Sequence, residues 1–383
     1  MSGVRAGHWN IILLFLGMYL FVWSLSGLKH AWGMAFAVDG KEGLAKSYIS
    51  RMTGNPLSGL CLGIIATALV QSSSGVVAVT IATVAAGGMT VTQAVPLIMG
   101  ANIGTTVTCV IVTLGYAMRK REFSKAVPVA LLNDVVKTLS VFFFFIIEYN
   151  TGFLSSLAVR LAGLMAGLPV LNYFLGGFPD FLDIVVDPVL VPVEHVVSGL
   201  LSSSSHAALA MGVLSFMVLI LGLEVMGNAA ESALKGKASR YVHLAFKTKG
   251  RGLVIGTSFA SILQSSSVAT SLAIPFAASG RISLRETYPY LLGCNIGTTI
   301  DPGQIASYLK FGVMGLQVGL VHVLLNVFSV LLWFGVPRLS GIPLVITERI
   351  SAFILSSRNA TLSLVVYTLL LFFIIPLIVV YVT

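Results

Sequence analysis

The chain has 383 residues, of which 56% are hydrophobic and only 10% are charged. A soluble domain carries about 25% charged residues, so a soluble protein of this composition would lack the polar side chains that cover a surface. The net charge of +9 does not indicate nucleic-acid binding, because the basic loops lack interleaved aromatic residues and membrane proteins concentrate lysine and arginine in cytoplasmic loops. The composition therefore predicts a membrane protein.

Seven apolar segments are long enough to be full membrane spans, for which roughly 18 or more uncharged residues are needed. In chain order, the predicted spans are residues 9–27, 89–118, 123–147, 207–227, 282–309, 312–335 and 362–382. The first lacks a small-residue cleavage site, which favours a span over a signal peptide. The spans at 89–118 and 282–309 contain the sequences Gly-Ala-Asn-Ile-Gly-Thr-Thr and Gly-Cys-Asn-Ile-Gly-Thr-Thr, and each is predicted to be interrupted there.

Two further apolar segments, residues 56–88 and 252–280, are each divided by the sequence Gln-Ser-Ser-Ser. The arms on either side of each break are about 12–15 residues long, which is too short to cross a core of about 30 Å. Each segment is therefore predicted to be a re-entrant helical hairpin that returns to the side it entered from. Irregular backbone at that depth is tolerated only where protein or a water-filled cavity covers it.

The sequence around the first hairpin recurs 193 residues later without a gap. Gln71–Ser74 matches Gln264–Ser267, and the Asn-Ile-Gly-Thr-Thr sequence that begins at Asn102 matches the one that begins at Asn295. A four-residue and a five-residue identity at equal spacing indicate an internal duplication.

The number of spans predicts how the two copies are oriented. Each copy has three full crossings and one hairpin, and an odd number of crossings places the second copy in the membrane from the opposite side. The copies are therefore predicted to be inverted repeats.

Basic residues give the orientation of the chain in the membrane. Two basic loops are predicted to be cytoplasmic, and they contain Arg119, Lys120, Arg121, Lys125, Lys235, Lys237, Arg240, Lys247, Lys249 and Arg251. The N-terminus is then cytoplasmic and the connector between the copies is external. Residues 28–55 disagree with this scheme, because they carry Lys29, Lys41, Lys46 and Arg51 on the predicted outer side. The C-terminus is predicted to be external unless residues 340–358 contain a re-entrant segment.

The predicted fold is an all-α polytopic membrane protein with two inverted repeats, each with a re-entrant hairpin and an interrupted transmembrane helix. The predicted segments are 1–55 (first span and amphipathic linker), 56–147 (core of the first repeat), 148–206 (external connector), 207–251 (first span of the second repeat and cytoplasmic linker), 252–335 (core of the second repeat) and 336–383 (C-terminal segment with the final span).

The hairpin tips suit an oxyanion and a small cation together. A helix that begins at the break leaves backbone N–H groups without intrahelical partners and carries partial positive charge, so it can bind an anion without arginine or lysine. Serine hydroxyls and the glutamine amide add donors, while hydroxyl and backbone carbonyl oxygens can bind sodium. Two tips that arrive from opposite faces would meet near the middle of the membrane.

Ionisable residues inside spans are expensive to bury and are therefore functional candidates. Asp301 is predicted to bind a cation or to couple its movement, with a hydrogen-bonded structural role as the alternative. For Asp134 the two interpretations are balanced, since Lys137 one turn later could pair with it. Glu224 is predicted to lie at the membrane interface and His322 to be a hydrogen-bonded core histidine.

Other features favour ordinary structural roles. An isolated serine run such as 202–205 is typical of packing or turns, and only duplication at fixed spacing argues for more at the two hairpins. Cys61, Cys109 and Cys294 have neither metal-ligand spacing nor a disulfide framework and are predicted to be buried. No serine is tied to a base, so an enzyme is not predicted, and paired hairpins favour a carrier over a channel.

The paired Gln-Ser-Ser-Ser motifs and the two Asn-Ile-Gly-Thr-Thr sequences resemble those of the type II sodium-dependent phosphate cotransporters. The resemblance covers residues 56–140 and 250–335, and the short tails resemble a bacterial member. The resemblance implies sodium-coupled uptake of inorganic phosphate across the plasma (inner) membrane. Animal members have a disulfide-bonded external loop, whereas this connector has no cysteine; they also carry His-Asp where this chain has Asn133 and Asp134.

The resemblance also implies which residues bind each ion. The implied phosphate ligands are Gln71, Ser72, Ser73, Ser74, Gln264, Ser265, Ser266, Ser267, Asn102 and Asn295. The implied sodium ligands are Thr105, Thr106, Thr298 and Thr299, to which the ionisable candidates Asp134 and Asp301 are added. Sodium is the one metal expected, as a co-substrate, and no cofactor is expected.

The expected partners are phosphate, sodium and the lipid bilayer, with a homodimer as one assembly to be considered. Two alternatives stay open. The first is a sodium-coupled carrier of another small anion, such as sulfate or a carboxylate. The second is a regulatory membrane protein whose duplicated core no longer transports.

Overall fold

The computed structural model describes residues 2–37, 51–201, 203–234, 246 and 248–383. Every regular element within these ranges is a helix, which confirms the predicted all-α class. Six of the basic residues from which the orientation in the membrane was predicted lie outside the described residues: Lys41, Lys46, Lys235, Lys237, Arg240 and Lys247.

The helices of the first copy follow the predicted segments closely. They are α1 (Ser2–Ala37), α2 (Pro56–Val70), α3 (Ser73–Ala85), α4 (Val91–Gly104), α5 (Val107–Leu114) and α6 (Lys120–Thr151). Helices α2 and α3 are the two arms of the first hairpin. Helices α4 and α5 form the interrupted span, which breaks at Thr105 and Thr106.

The second copy repeats this order. Its helices are α9 (Ser204–Leu234), α10 (Lys249–Leu263), α11 (Ser266–Ser271), α12 (Ala273–Ala278), α13 (Leu284–Gly297), α14 (Pro302–Lys310) and α15 (Gly312–Val330), which continues as a π-helical turn at Leu331–Gly335. The second arm of this hairpin is divided into α11 and α12. The interruption between α13 and α14 covers residues 298–301.

Six helices of the described chain are long and apolar enough to cross a bilayer. They cover Trp9–Ala31, Val91–Leu114, Lys120–Thr151, Ser204–Val225, Gly312–Gly335 and Ala360–Val382. The protein is therefore a multi-pass membrane protein, as predicted. The predicted span at 282–309 is absent from this set. Four residues separate α13 from α14 and neither helix is long enough alone, whereas only two residues separate α4 from α5.

The predicted connector contains more structure than the sequence indicated. Helices α7 (Phe153–Ala166) and α8 (Pro169–Leu200) fill most of residues 148–206. After the second copy come α16 (Ile342–Ser356), α17 (Ala360–Leu369), a π-helical turn at Leu370–Ile374 and α18 (Ile375–Val382). Helix α16 occupies the segment on which the predicted side of the C-terminus depends.

Glycines let the hairpins pack directly on the interrupted spans, backbone against backbone. A Cβ atom added at Gly63 would lie 2.0 Å from the carbonyl oxygen of Leu97, and one at Gly100 would lie 1.9 Å from that of Leu60. In the second copy, a Cβ atom at Gly256 would lie 2.2 Å from the carbonyl oxygen of Tyr290. Close approach through small residues is how membrane helices pack, and the duplication preserves it.

The two copies share their cores. One buried cluster contains Val129 and Ala130 of α6 together with Leu292 of α13. Another joins Ile98 of α4 to Leu325 of α15. Helices α1 and α9, the first of each copy, also pack against each other. The copies are therefore interleaved, because each of these clusters contains residues of both.

Candidate functional site

A cavity of about 450 Å³, lined mainly by residues with polar side chains, lies where the two hairpin breaks meet. Its lining includes both complete motifs: Gln71, Ser72, Ser73, Ser74, Gln264, Ser265, Ser266 and Ser267. Thr105 and Thr298, the first residues of the two interruptions, also line it. Ten of the sixteen residues predicted to bind ions thus come together around one cavity, although they come from segments about half the chain apart.

Each break is made by a glutamine followed by a helix-capping serine. Gln71 ends α2 with a φ of 56° and Gln264 ends α10 with a φ of 53°. Residues other than glycine rarely adopt this left-handed backbone conformation. Ser72 then caps α3 by accepting a hydrogen bond from the N–H of Gly75 at 3.1 Å. Ser265 caps α11 in the same way, accepting from the N–H of Val268 at 3.2 Å.

The breaks therefore present new helix starts to the cavity. A helix N-terminus carries free N–H groups and partial positive charge, and at both tips serine side chains stand beside it. Helix α3 has 13 residues, and α11 continues almost directly into α12. Within the described lining no lysine, arginine or histidine is present, so the donors that face the cavity are neutral.

Each tip also contacts the interrupted span of the other copy. The hydroxyl of Ser74 donates to the carboxylate of Asp301 at 3.4 Å. The hydroxyl of Thr108 donates to that of Ser267 at 3.2 Å. Ser267 matches Ser74 in the duplication, and Asp301 matches Thr108, so the two contacts are equivalent. Reciprocal contacts of this kind are what a two-fold relation between copies produces.

Asp301 organises a hydrogen-bond network beneath the first tip. Its carboxylate caps α14 by accepting from the N–H of Gln304 at 2.8 Å. The side-chain amide of Gln304 donates to the carbonyl oxygen of Ser74 at 3.1 Å. The hydroxyl of Tyr308 donates to the carbonyl oxygen of Thr299 at 2.9 Å. Gln304 was not predicted as a site residue, although Asp-Pro-Gly-Gln has the spacing of a capping box.

The two threonines of each interruption occupy different environments. Thr105 and Thr298 line the cavity, and their hydroxyls donate to carbonyl oxygens one turn earlier, both at 2.9 Å. Their hydroxyl oxygens keep lone pairs that can accept a hydrogen bond or bind a cation. Thr106 and Thr299 are fully buried and lie outside the lining.

Asp134 lies behind the interruption of the first copy. It accepts hydrogen bonds from the hydroxyl of Thr106 at 3.1 Å and from that of Tyr367 in α17 at 2.5 Å. The predicted alternative, an ion pair with Lys137, is not formed: among the described residues, the carboxylate of Asp134 is bonded to hydroxyl groups instead.

The two asparagines lie deeper than predicted. Asn102 and Asn295 are buried, and neither is part of the cavity lining. The side-chain oxygen of Asn295 has no hydrogen-bond partner among the described residues. His322 is buried as expected of a core histidine, but its Nδ1 also lacks a partner in that part of the chain.

One wall of the cavity comes from α9. Ile220, Leu223, Glu224 and Asn228 line it at the spacing of a single helix face. Glu224, which the sequence predicts to lie at the membrane interface, is thus also part of the cavity wall. Nothing in the sequence near Glu224 indicated this, because the wall forms only when α9 packs against the hairpins.

The arrangement defines a class of protein. Apolar membrane-spanning helices surround a polar cavity built from two helix termini, which is typical of membrane transport proteins. The chain belongs to the Na+/Pi-cotransporter family, whose model matches residues 13–172 and 218–343. The resemblance drawn from the sequence motifs is thereby confirmed.

Individual relatives support the same family. The chain is 28% identical over 396 residues to sodium-dependent phosphate transport protein 2A of Rattus norvegicus, covering 85% of this chain and 60% of the relative. It is 26% identical over 460 residues to sodium-dependent phosphate transport protein 2B of Homo sapiens, covering 97% of this chain and 65% of the relative. The chain thus spans less than two thirds of the length of these relatives. No solved structure was found to match it.

The relatives are named as transport proteins, in agreement with the prediction that the chain is not an enzyme. The described residues also contain no group of three or more His, Cys, Asp or Glu side chains placed to hold a metal ion. The polar groups of the cavity are hydroxyls, amides, helix N-termini and one carboxylate, which suit an oxyanion and a hard monovalent cation.

Proposed function

We propose that the protein carries inorganic phosphate across the plasma membrane together with sodium, by alternating access, with the phosphate held between the two Gln-Ser-Ser-Ser tips. The observation that carries the proposal is that both tips line one cavity. The names of the relatives, which state sodium-dependent phosphate transport, support phosphate as the oxyanion.

The phosphate ligands in this proposal are the two motifs, Gln71–Ser74 and Gln264–Ser267. Free N–H groups at the starts of α3 and α11, together with serine hydroxyls, can surround a tetrahedral oxyanion with donors. The proposed sodium ligands are the hydroxyl oxygens of the interruptions and the carboxylates of Asp134 and Asp301. Asn102 and Asn295 stay a prediction, since neither lines the cavity.

The reciprocal contacts between tips and interrupted spans support alternating access. Each tip is attached to the other copy, through Ser74 and Asp301 on one side and Thr108 and Ser267 on the other. If the copies are inverted, these attachments are equivalent with respect to the two faces of the membrane. Exchanging the two arrangements would then open the cavity to one face and close it to the other.

Uptake into proteoliposomes tests the proposal. Purified protein should accumulate radiolabelled phosphate when an inward sodium gradient is applied, and should not when sodium is replaced by choline. Absence of sodium-dependent accumulation would overturn the proposal. Sodium-dependent accumulation of radiolabelled sulfate or of a labelled carboxylate that excess phosphate does not reduce would identify a carrier of another anion instead.

A pair of serine variants tests the site assignment. Ser266 is buried at the start of α11 and lines the cavity, whereas Ser204 is exposed at the start of α9. Ser266→Ala removes one donor to a charged ligand, which is worth about 1.5–3 kcal/mol, so phosphate affinity should fall by roughly tenfold or more. Ser204→Ala is the matched control and should leave the apparent KM for phosphate unchanged. Equal effects would contradict the assignment.

A further inference from the structure

Glu224 is the single ionisable residue in the described lining of the cavity. Glu224 is exposed rather than buried, and it contributes to the wall of the cavity. Asn228 lies one turn further along α9 and lines the same cavity. A carboxylate and an amide oxygen at this spacing lie on one helix face, and oxygen ligands of this kind suit a hard cation.

Helix α9 is held at the hairpin tips by packing. A Cβ atom at Gly75, in the first turn of α3, would lie 3.5 Å from a methyl group of Leu223. Helix α9 also packs against α10, the first arm of the other hairpin. The face that carries Leu223, Glu224 and Asn228 therefore closes the side of the cavity between the two tips.

The first copy has alanines at the positions equivalent to Glu224 and Asn228. At the 193-residue offset, Glu224 and Asn228 match Ala31 and Ala35 of α1. Ala31 is buried and does not line the cavity. The Gln-Ser-Ser-Ser motif thus occurs in both copies, whereas the carboxylate and the amide on the neighbouring helix occur at these positions in the second copy alone.

A carboxylate beside a bound oxyanion is unfavourable unless a cation lies with them, since like charges in a weakly polar environment repel strongly. We propose that Glu224, assisted by Asn228, binds a sodium ion inside the cavity, and that this ion is needed before phosphate can enter. This inference rests on the proposed function, which it deepens by assigning one coupling cation to α9. Phosphate binding then depends on sodium because the cation offsets the repulsion between the carboxylate of Glu224 and the oxyanion.

Binding of radioactive sodium to the purified protein in detergent tests the assignment without requiring transport. Glu224→Gln should weaken sodium binding by about tenfold, which corresponds to about 1.4 kcal/mol. Asn228→Ala should weaken it less, and Glu224→Asp should retain part of it. Glu122→Gln, which removes an exposed carboxylate paired with Arg119 outside the cavity, is the control and should bind as the unaltered protein does.

The outcomes separate the inference from the proposed function. Equal sodium binding by the Glu224→Gln variant and the unaltered protein, with the same elution volume in gel filtration, would overturn the inference while leaving phosphate uptake intact. Sodium binding that depends on Glu224, without phosphate accumulation in proteoliposomes, would support the cation site and overturn the proposed transport. If Glu224→Gln misfolds, the Asn228→Ala and Glu224→Asp variants decide the question by their sodium affinities.

Discussion

The two glutamines that end the first arms of the hairpins adopt a backbone conformation for which they are poorly suited. A left-handed residue with a side chain costs roughly 1–2 kcal/mol, and glycine is the residue usually found at such helix ends. Glycine occupies four other positions of positive φ in the described ranges, including Gly87 and Gly280 at the far ends of the hairpins. Glutamine at both breaks therefore fits the proposed role of its side chain in the cavity.

Replacing the glutamine by glycine should separate these two effects. Gln71→Gly relieves the backbone strain, so the melting temperature in detergent should stay the same or rise, while sodium-dependent phosphate uptake falls because a cavity amide is lost. Gly87→Ala is the opposite control, because it adds backbone strain outside the cavity. A Cβ atom at position 87 would meet no neighbour within 4 Å, but alanine would have to adopt a φ of 76°. That variant should melt lower and keep its uptake. A Gln71→Gly variant with full uptake would contradict a ligand role for the amide.

Lys137 illustrates what residue types alone could not predict. It is 3% exposed, and the carboxylate of Asp134 is instead bonded to Thr106 and Tyr367. The sequence placed Asp134 within a span and Lys137 one turn later on the same helix, which the structure confirms. Their separation depends on Tyr367, which lies 233 residues later in α17, so no local pattern could reveal it.

At the scale of elements, the starts of α4 and α13 show how the duplication preserves local structure. Thr90 and Gln93 form a reciprocal capping box at the start of α4, and Ser283 and Glu286 form the same box at the start of α13. The sequences differ at both positions, but the hydrogen bonds are equivalent. The helix breaks at Gln71 and Gln264 and at the two interruptions lie where the sequence predicts them, because short apolar arms and local capping signals determine helix ends.

The helices of the connector were not predicted, for a physical reason. Helix α8 contains Pro179, Pro188 and Pro192 and several acidic residues, so it lacks a long uncharged run and its sequence resembles a loop. Its apolar contacts with α1, such as Leu190 against the cluster around Phe21 and Leu25, form only in the folded protein. The wall that contains Glu224 was missed for the same reason.

The cap of α14 lets the structural and electrostatic roles of Asp301 be separated. Asparagine caps a helix about as well as aspartate, so Asp301→Asn should retain the melting temperature. Because the charge is lost, the sodium concentration that gives half-maximal uptake should rise by roughly tenfold, as expected when an interaction of about 1.4 kcal/mol is lost.

Asp301→Ala completes this comparison, because it removes both the cap and the charge. The variant should melt lower and also respond less to sodium. An Asp301→Asn variant with unchanged sodium dependence would leave Asp301 with a capping role alone.

At the scale of the whole molecule, the inverted arrangement of the two copies is still a prediction. The reciprocal contacts are consistent with a two-fold relation, but they do not give its direction relative to the membrane. Thr92 and Arg285 are equivalent positions in the duplication, and both are exposed in the first turns of α4 and α13. Inverted copies would place them on opposite faces of the membrane.

Labelling of single cysteines tests this arrangement. Thr92→Cys should react with a membrane-impermeant maleimide in intact cells, whereas Arg285→Cys should react only after permeabilisation. The natural cysteines are 5%, 1% and 0% exposed at positions 61, 109 and 294, so the background should be low. Labelling of both positions from the same side would show that the copies are parallel.

The contact between Ser74 and Asp301 also bears on how the protein is made. The two residues lie 227 positions apart in the chain. At about 5–20 residues per second, the ribosome completes the first hairpin roughly 10–45 s before Asp301 has been synthesised. During that interval the polar tip has none of its partners from the second copy, in a membrane that offers no water to replace them. The first hairpin must therefore be covered by other protein at the site of insertion, or stay near the membrane surface, until the second copy has been synthesised and packs against it.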